Sequence, residues 1–264
     1  MATRIFQVDA FTTEPFRGNP AGVCLPAGAT SEEWLQGIAA DMNVSETAFL
    51  WKKEHHFAIR YFTPLAEVSL CGHATLSSAH ILWQEGIVGT GEAIRFIAKG
   101  GDLSARHEGD WICLDFPTLP VRPAETPPGL QAVLGAAPLR VSRLEGQGLL
   151  VEFDSEEIVR ELQPDFAGIR REGFGMIIVT ARAKGGPYDF VSRFFAPDIG
   201  IDEDPVTGVA HCSLSPYWSE RLGKADLLGH QVSRRGGIVR VRSRGARTEI
   251  LGRALTVLRG EIVI

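Results

Sequence analysis

The sequence predicts an α+β protein built as two similar lobes, and three features carry that prediction. Runs of strand length, rich in β-branched and aromatic residues, recur along the chain, whereas few stretches show helical period. Two segments about half a chain apart repeat the same order of residues. A stretch dense in proline lies between them. At about 150 residues per domain, 264 residues accommodate one large domain or two modest lobes, and either can bury a core.

Taken in order, residues 4–11 read as the first strand. A helix follows over 31–42, where Thr30 and Glu33 have capping-box spacing and Trp34, Leu35, Ile38, Ala39 and Met42 recur at helical period. Strands are expected at 47–51, 57–62, 93–97 and 111–116, with a helix over 72–84. Five prolines and no periodicity make 117–128 the connector, which gives an N-terminal lobe of 1–118 and a C-terminal lobe of 129–264. The second lobe is expected to hold strands at 149–153, 175–180 and 188–195 and a helix over 208–222. Strands at 238–242, 248–252 and 254–258, separated by Arg/Ser/Gly turns, read as an antiparallel meander closing a sheet or barrel. The terminal strand is free to cross into the other lobe.

The internal repeat is short but ordered. Phe62-Thr-Pro64, Glu67, Gly72-His-Ala74, Ser77 and Trp83 match Phe195-Ala-Pro197, Glu203, Gly208-Val-Ala210, Ser213 and Trp218. In both, Glu to Gly is five positions, Gly to Ala two and Gly to Ser five, and the glycines lie 136 residues apart. That spacing is too long for a solenoid, and it suggests two strand–turn–helix lobes. Pockets favour the seam between such lobes.

Composition excludes several classes. Hydrophobic residues at 44% and charged residues at 22% are ordinary globular proportions. A net charge of −5 leaves no cationic excess for nucleic acid. The amino terminus carries Arg4 and Asp9 where a secretory signal would be apolar, and no apolar run approaches membrane-spanning length. Four scattered cysteines without a C-x-x-C pair fit reduced thiols. A soluble, cytoplasmic protein without a membrane or nucleic-acid partner is therefore expected. No histidine cluster has metal-ligand spacing and no glycine-rich nucleotide motif is present, so neither a metal nor an organic cofactor is indicated.

The chemistry-bearing candidates gather at a few positions. Glycine turns entering helices present unpaired N–H groups, so Gly72-His73-Ala74 and Gly208-Val209-Ala210 are candidate anion cradles, or simply glycines that permit close packing. Two cradles facing one cleft would suit a small carboxylate. Glu46, among Val44, Ala48 and Phe49, is a candidate proton-transfer group whose pKa desolvation would raise; the alternative is a solvent-facing acid at a strand end. Asp204, four residues before Gly208, either orients a substrate or is merely solvated. Cys71 beside His73 reads as a small buried hydrophobe, or as a thiolate base or nucleophile.

At these residues the chain resembles the phenazine biosynthesis-like (PhzF-like) isomerases of the diaminopimelate epimerase-like superfamily. The likeness rests on Asp9-Ala-Phe-Thr12, Phe16-Arg-Gly-Asn-Pro-Ala21, Asn43-Val-Ser-Glu-Thr-Ala-Phe49, Leu70-Cys-Gly-His-Ala-Thr75, Arg193-Phe-Phe-Ala-Pro197 and Glu203-Asp-Pro-Val-Thr-Gly208. The resemblance implies lobes that are curled, barrel-like, mostly antiparallel sheets around a central helix, with an active site between them and a homodimer. It implies cofactor-independent proton transfer with Glu46 as acid/base, His73 and Asp204 as polarising or orienting groups, and a carboxylate held by the Gly72 and Gly208 amides, with Ala74 and Val209 beside them. Two positions depart from the pattern. Val209 stands where the family often has a serine, and Pro205 where the two-cysteine epimerases have their second thiol, which disfavours two-thiol racemisation.

Overall fold

Along Thr3–Ala10 (β1) the apolar side chains Ile5, Phe6, Val8 and Ala10 are buried, and the strand pairs antiparallel with Asn19–Leu25 (β2), Val8 opposite Ala21. The loop between them closes through Gly18 at φ +67°, where a Cβ would collide with the Ala10 carbonyl oxygen. These positions come from a computed structural model that describes residues 3–146 and 148–264. Chain contacts divide it into two units, Met1–Phe116 with Leu251–Ile264 and Pro117–Ile250.

In the first unit, Glu32–Met42 (α1) begins at Ser31, whose hydroxyl accepts from the Trp34 N–H at 3.2 Å. Ser31, rather than the expected Thr30, is therefore the cap. The helix stops at Asn43 in the left-handed region, φ 48°, whose N–H donates to the Ala39 carbonyl. Leu35, Ile38 and Ala39 pack with Phe49, Phe62, Ile5 and Cys24. Glu46–Lys52 (β3) then runs parallel to β2, and Phe57–Phe62 (β4) antiparallel to β3. Glu67–Val68 (β5) pairs with the end of β4 and leads into Gly72–Gln84 (α2). Ile94–Ala98 (β6) is parallel to β4, and Gly101–Glu108 (β7) and Trp111–Pro117 (β8) extend the sheet antiparallel. From His73 to Trp83 every α2 residue except His80 is buried. A helix buried all round needs walls on all sides, and the sheet curls around it, with β1, β2 and β3 against α2. Two of the hydroxyls that such burial would strand turn back on the helix, Thr75 to the Cys71 carbonyl at 2.6 Å and Ser78 to that of Ala74 at 2.7 Å, while Ser77 Oγ is buried without a hydrogen-bond partner among the described residues.

The second unit contains Arg122–Ala124 (β9), Leu130–Leu134 (α3), Arg140–Arg143 (β10), Gly148–Glu152 (β11), Glu156–Glu161 (α4) and Phe166–Glu172 (α5). It continues with Met176–Arg182 (β12), Phe190–Phe195 (β13), Gly208–Leu222 (α6), Asp226–Gln231 (β14), Gly237–Arg244 (β15) and Arg247–Gly252 (β16). Its pairings repeat the first unit's. The order antiparallel, parallel, antiparallel, parallel, antiparallel holds for β1–β2–β3–β4–β6–β7 and again for β10–β11–β12–β13–β14–β15. α6 occupies the place of α2, buried from Gly208 to Trp218 except at Val209 and Pro216. Pro216 cannot donate to the Cys212 carbonyl, which instead accepts from the Leu119 N–H at 3.1 Å. Residues 117–128, read above as a connector, contribute β9, which pairs with β10.

Ala254–Ile262 (β17) pairs antiparallel with β1 from Thr3 opposite Ile262 to Ala10 opposite Ala254, so the last residues of the chain join the first unit. The terminal strand, left free above to cross, adds to the sheet at the other end of the chain. The whole is a mixed α+β fold of two similar curled, mostly antiparallel sheets, each around one helix. Among the described residues no helix is long and apolar enough to cross a membrane.

Candidate active site

In the first unit, three expected or debated residues meet. Glu46 is the first residue of β3, set there by the Asn43 turn that ends α1, and His73 is the second residue of α2. Their side chains approach to 3.1 Å between His73 Nε2 and Glu46 Oε2, with 7% and 14% of their surfaces exposed. Cys71, the N-cap residue of α2, brings its Sγ within 3.5 Å of His73 Nδ1. On the same ring, Asn19 Nδ2 lies 3.4 Å from Nδ1, and Asn19 Oδ1 accepts from Ser45 Oγ at 3.2 Å. The Gly72, His73 and Ala74 amides form the first turn beside this pair, the positive end of α2.

The electrostatics correct one expectation. Burial does push the Glu46 carboxyl up, but the charge of His73 and hydrogen bonds from His73 and Cys71 outweigh it, so the pKa is lowered. For His73, burial opposes the charge, yet Cys71 when ionised, the Glu46 carboxylate and hydrogen bonds from both hold its pKa well above the ordinary value. Burial and the neighbouring Glu46 raise the Cys71 thiol despite His73. These directions favour a Glu46 carboxylate facing a charged His73, with the thiol held towards its protonated form. Glu46 is therefore poised as a base, with no proton of its own at neutral pH. The raised thiol opposes the thiolate alternative for Cys71 and agrees with the buried-hydrophobe one.

Glu46, Cys71 and His73 also offer ligand atoms that all lie within 4.8 Å of one another, a spacing compatible with a metal ion. An ion there would have to displace the imidazolium and thiol protons. Sequence spacing hides this set because Glu46 arrives from another element.

In the second unit Asp204 is buried, and its carboxylate accepts from Thr207 Oγ1, while its N–H donates to the Phe194 carbonyl. Gln231, fully buried on β14, ties this turn together. Its amide nitrogen donates to the Asp204 carbonyl at 2.9 Å, and its oxygen accepts from the Thr207 N–H at 2.9 Å. The web fixes the entry to α6, where Gly208 is buried and the Val209 side chain is half-exposed. Asp204 is thus a structural anchor of the second glycine turn as well as a candidate ligand. His211, buried in the same helix, has its pKa pushed down to about 4 by desolvation and is neutral. Asn19, Thr207 and Gln231 escaped the sequence reading. Asn19 lay within a quoted motif, but Gln231 reaches its partners from 24 or more residues away and leaves no local signal.

The sequence model for "Phenazine biosynthesis-like protein" matches residues 8–260. An uncharacterized isomerase of Halalkalibacterium halodurans is 45% identical over 265 residues, covering 100% of each chain. A PhzF family protein of Enterococcus faecalis has a crystal structure that superposes with TM-score 0.95 at 37% identity, covering 100% of both chains. A hydroxyproline epimerase of Agrobacterium vitis, at 11% identity and TM-score 0.65 over 99% of this chain and 94% of its own, shares the fold.

Proposed function

Because this chain belongs to the phenazine biosynthesis-like family and is an isomerase, we propose that it moves a proton between two carbons of a small carboxylate substrate, using its own side chains. The buried Glu46–His73 ion pair, 3.1 Å apart at the N-terminus of α2, carries this reading. The Glu46 carboxylate takes a proton from a carbon acidified by a neighbouring carbonyl or double bond, and the electron pair moves into the conjugated system. The His73 imidazolium faces that developing negative charge and stabilises it. The neutral Glu46 then returns the proton to another carbon on the face it addresses, so the product is an isomer and the enzyme is regenerated. The first-turn amides of Gly72, His73 and Ala74 suit the substrate carboxylate. Within the second unit the Gly208 and Val209 amides suit an anion by the same argument, Val209 offering only its N–H, and Asp204 braces their turn. We place the work in the cytoplasm, and the resemblance implies a homodimer.

Screening unsaturated and α-substituted carboxylates in deuterated water, with mass spectrometry of the recovered acids, identifies a substrate by deuterium uptake. On that substrate Glu46→Gln should lower turnover about 10²- to 10⁴-fold and abolish exchange; unchanged exchange would overturn the role of Glu46.

A second reading makes Cys71 the base, and its 3.5 Å approach to His73 favours it. The raised thiol pKa weighs against it. Cys71→Ala should keep turnover within a few-fold of the native rate, and loss of turnover with intact folding would instead support the thiol.

A further inference from the structure

The sheet of the second unit has two unlike faces. Alternate residues of β10–β12, Val141, Leu149, Val151, Ile177, Val179 and Ala181, join a core completed by α3, α4 and α5. The intervening positions place Arg140, Ser142, Glu152 and Arg182 on the opposite face. There the C-terminal half of α6 supplies Tyr217 and Arg221, and together these side chains line a cavity of about 710 Å³. Side chains of an ordinary core would fill such a space; here it stays open, within the range of about 300–1,000 Å³ typical of ligand sites.

Its charges are unevenly used. Glu152, 8% exposed at its side chain, accepts from Tyr217 Oη at 2.7 Å and from Arg140 Nη1 at 3.0 Å. The Arg221 guanidinium carbon lies over the Tyr217 ring, 3.5 Å from its centroid. The one buried carboxylate is thereby satisfied. Arg182 is exposed at the cavity, and among the described residues its guanidinium has no hydrogen-bond or ion-pair partner. The Ser142 hydroxyl is likewise unengaged there. Val121 and Pro216 add apolar surface to the lining. Counting Arg140, Arg182 and Arg221 against Glu152 and Glu220, the lining carries an excess of one positive charge.

We infer that this cavity is a second binding site, for a small monoanion with an apolar or aromatic body, its anionic group on Arg182 and Ser142 and its body against Val121 and Pro216. Arginine suits a carboxylate, sulfonate or phosphate group here because its planar fork binds oxygen anions in pairs. The site is separate from the α6 entry: at 1.5 Å rise per residue, Tyr217 and Arg221 lie about 14 and 20 Å along the helix from Gly208. It does not depend on the isomerase chemistry.

The test is a fluorescence titration of the full chain with 1-anilinonaphthalene-8-sulfonate, an aromatic monoanion. One saturable site per chain is expected. Arg182→Glu should weaken it at least tenfold while leaving the melting temperature unchanged, since the side chain it replaces makes no bond. Glu46→Gln should bind the dye as the native chain does. Absence of saturable binding, indifference to Arg182→Glu, or loss of binding in Glu46→Gln would each overturn the inference.

Discussion

Glu46 and His73 each bury a charge that neither would keep alone. Their mutual attraction offsets two desolvation costs at once, so removing one partner should change the other's proton affinity as well as catalysis. In the native protein the His73 ring, followed by NMR, should titrate above 6.5. In Glu46→Gln that midpoint should fall below the native one, because burial then acts with less opposition. The stability consequence has a definite sign. Lowering of the Glu46 pKa from 4.5 contributes stability that is present above pH 4.5 and is lost as pH falls through the folded value. Raising of the His73 pKa from 6.5 contributes stability that is present below pH 6.5 and is lost as pH rises through its folded value. The melting-temperature gap between native protein and Glu46→Gln should therefore be widest between pH 4.5 and 6.5 and close towards lower pH; a gap independent of pH would contradict the pairing. Glu46 was legible as a candidate from its apolar neighbours. Its ionisation was not, because the proton balance is set by a histidine and a thiol brought from another element.

Among the elements, the two strands that precede the central helices carry matching clamps. Arg60 binds Glu67 at 2.7 Å and lies 5.0 Å over Phe62; Arg193 binds Glu203 at 2.7 Å and lies 5.0 Å over Phe195. Their settings differ. The Arg193 side chain is 10% exposed and also donates to the Val159 and Leu162 carbonyls, at 3.2 and 2.8 Å, whereas that of Arg60 is 32% exposed. Arg193→Met should accordingly cost about 3–5 kcal/mol, as breaking a buried pair does, and Arg60→Met about 1 kcal/mol or less, by urea unfolding. The sequence disclosed the Phe and Glu of these clamps through the repeat, together with strands of strong β-branched or aromatic character. It concealed β2, broken by Pro20 and Gly22, and β14, where Gly229 is required by the Phe190 ring pressed against it. Short helices α3, α4 and α5 offer too few turns for periodicity to show.

For the whole molecule, the repeat seen in a handful of residues extends to the full pairing order of both sheets, which no local pattern could reveal because register joins distant segments. The return of β17 to β1 is of that kind. Removing residues 253–264 should leave one long edge of β1 without its partner, and the shortened protein should lose cooperative melting of the first unit and aggregate, by circular dichroism and light scattering. The same nesting governs the newborn chain. On the ribosome, the enclosed segment Pro117–Ile250 has its strands through β15 and most of β16 before Leu251–Ile264 has been made. At about 5–20 residues per second, the older half waits roughly 7–30 s for its final staple. The part translated second is thus the first that can finish, and the interval before the last strand arrives is when a helper protein guarding a naked sheet margin would matter most.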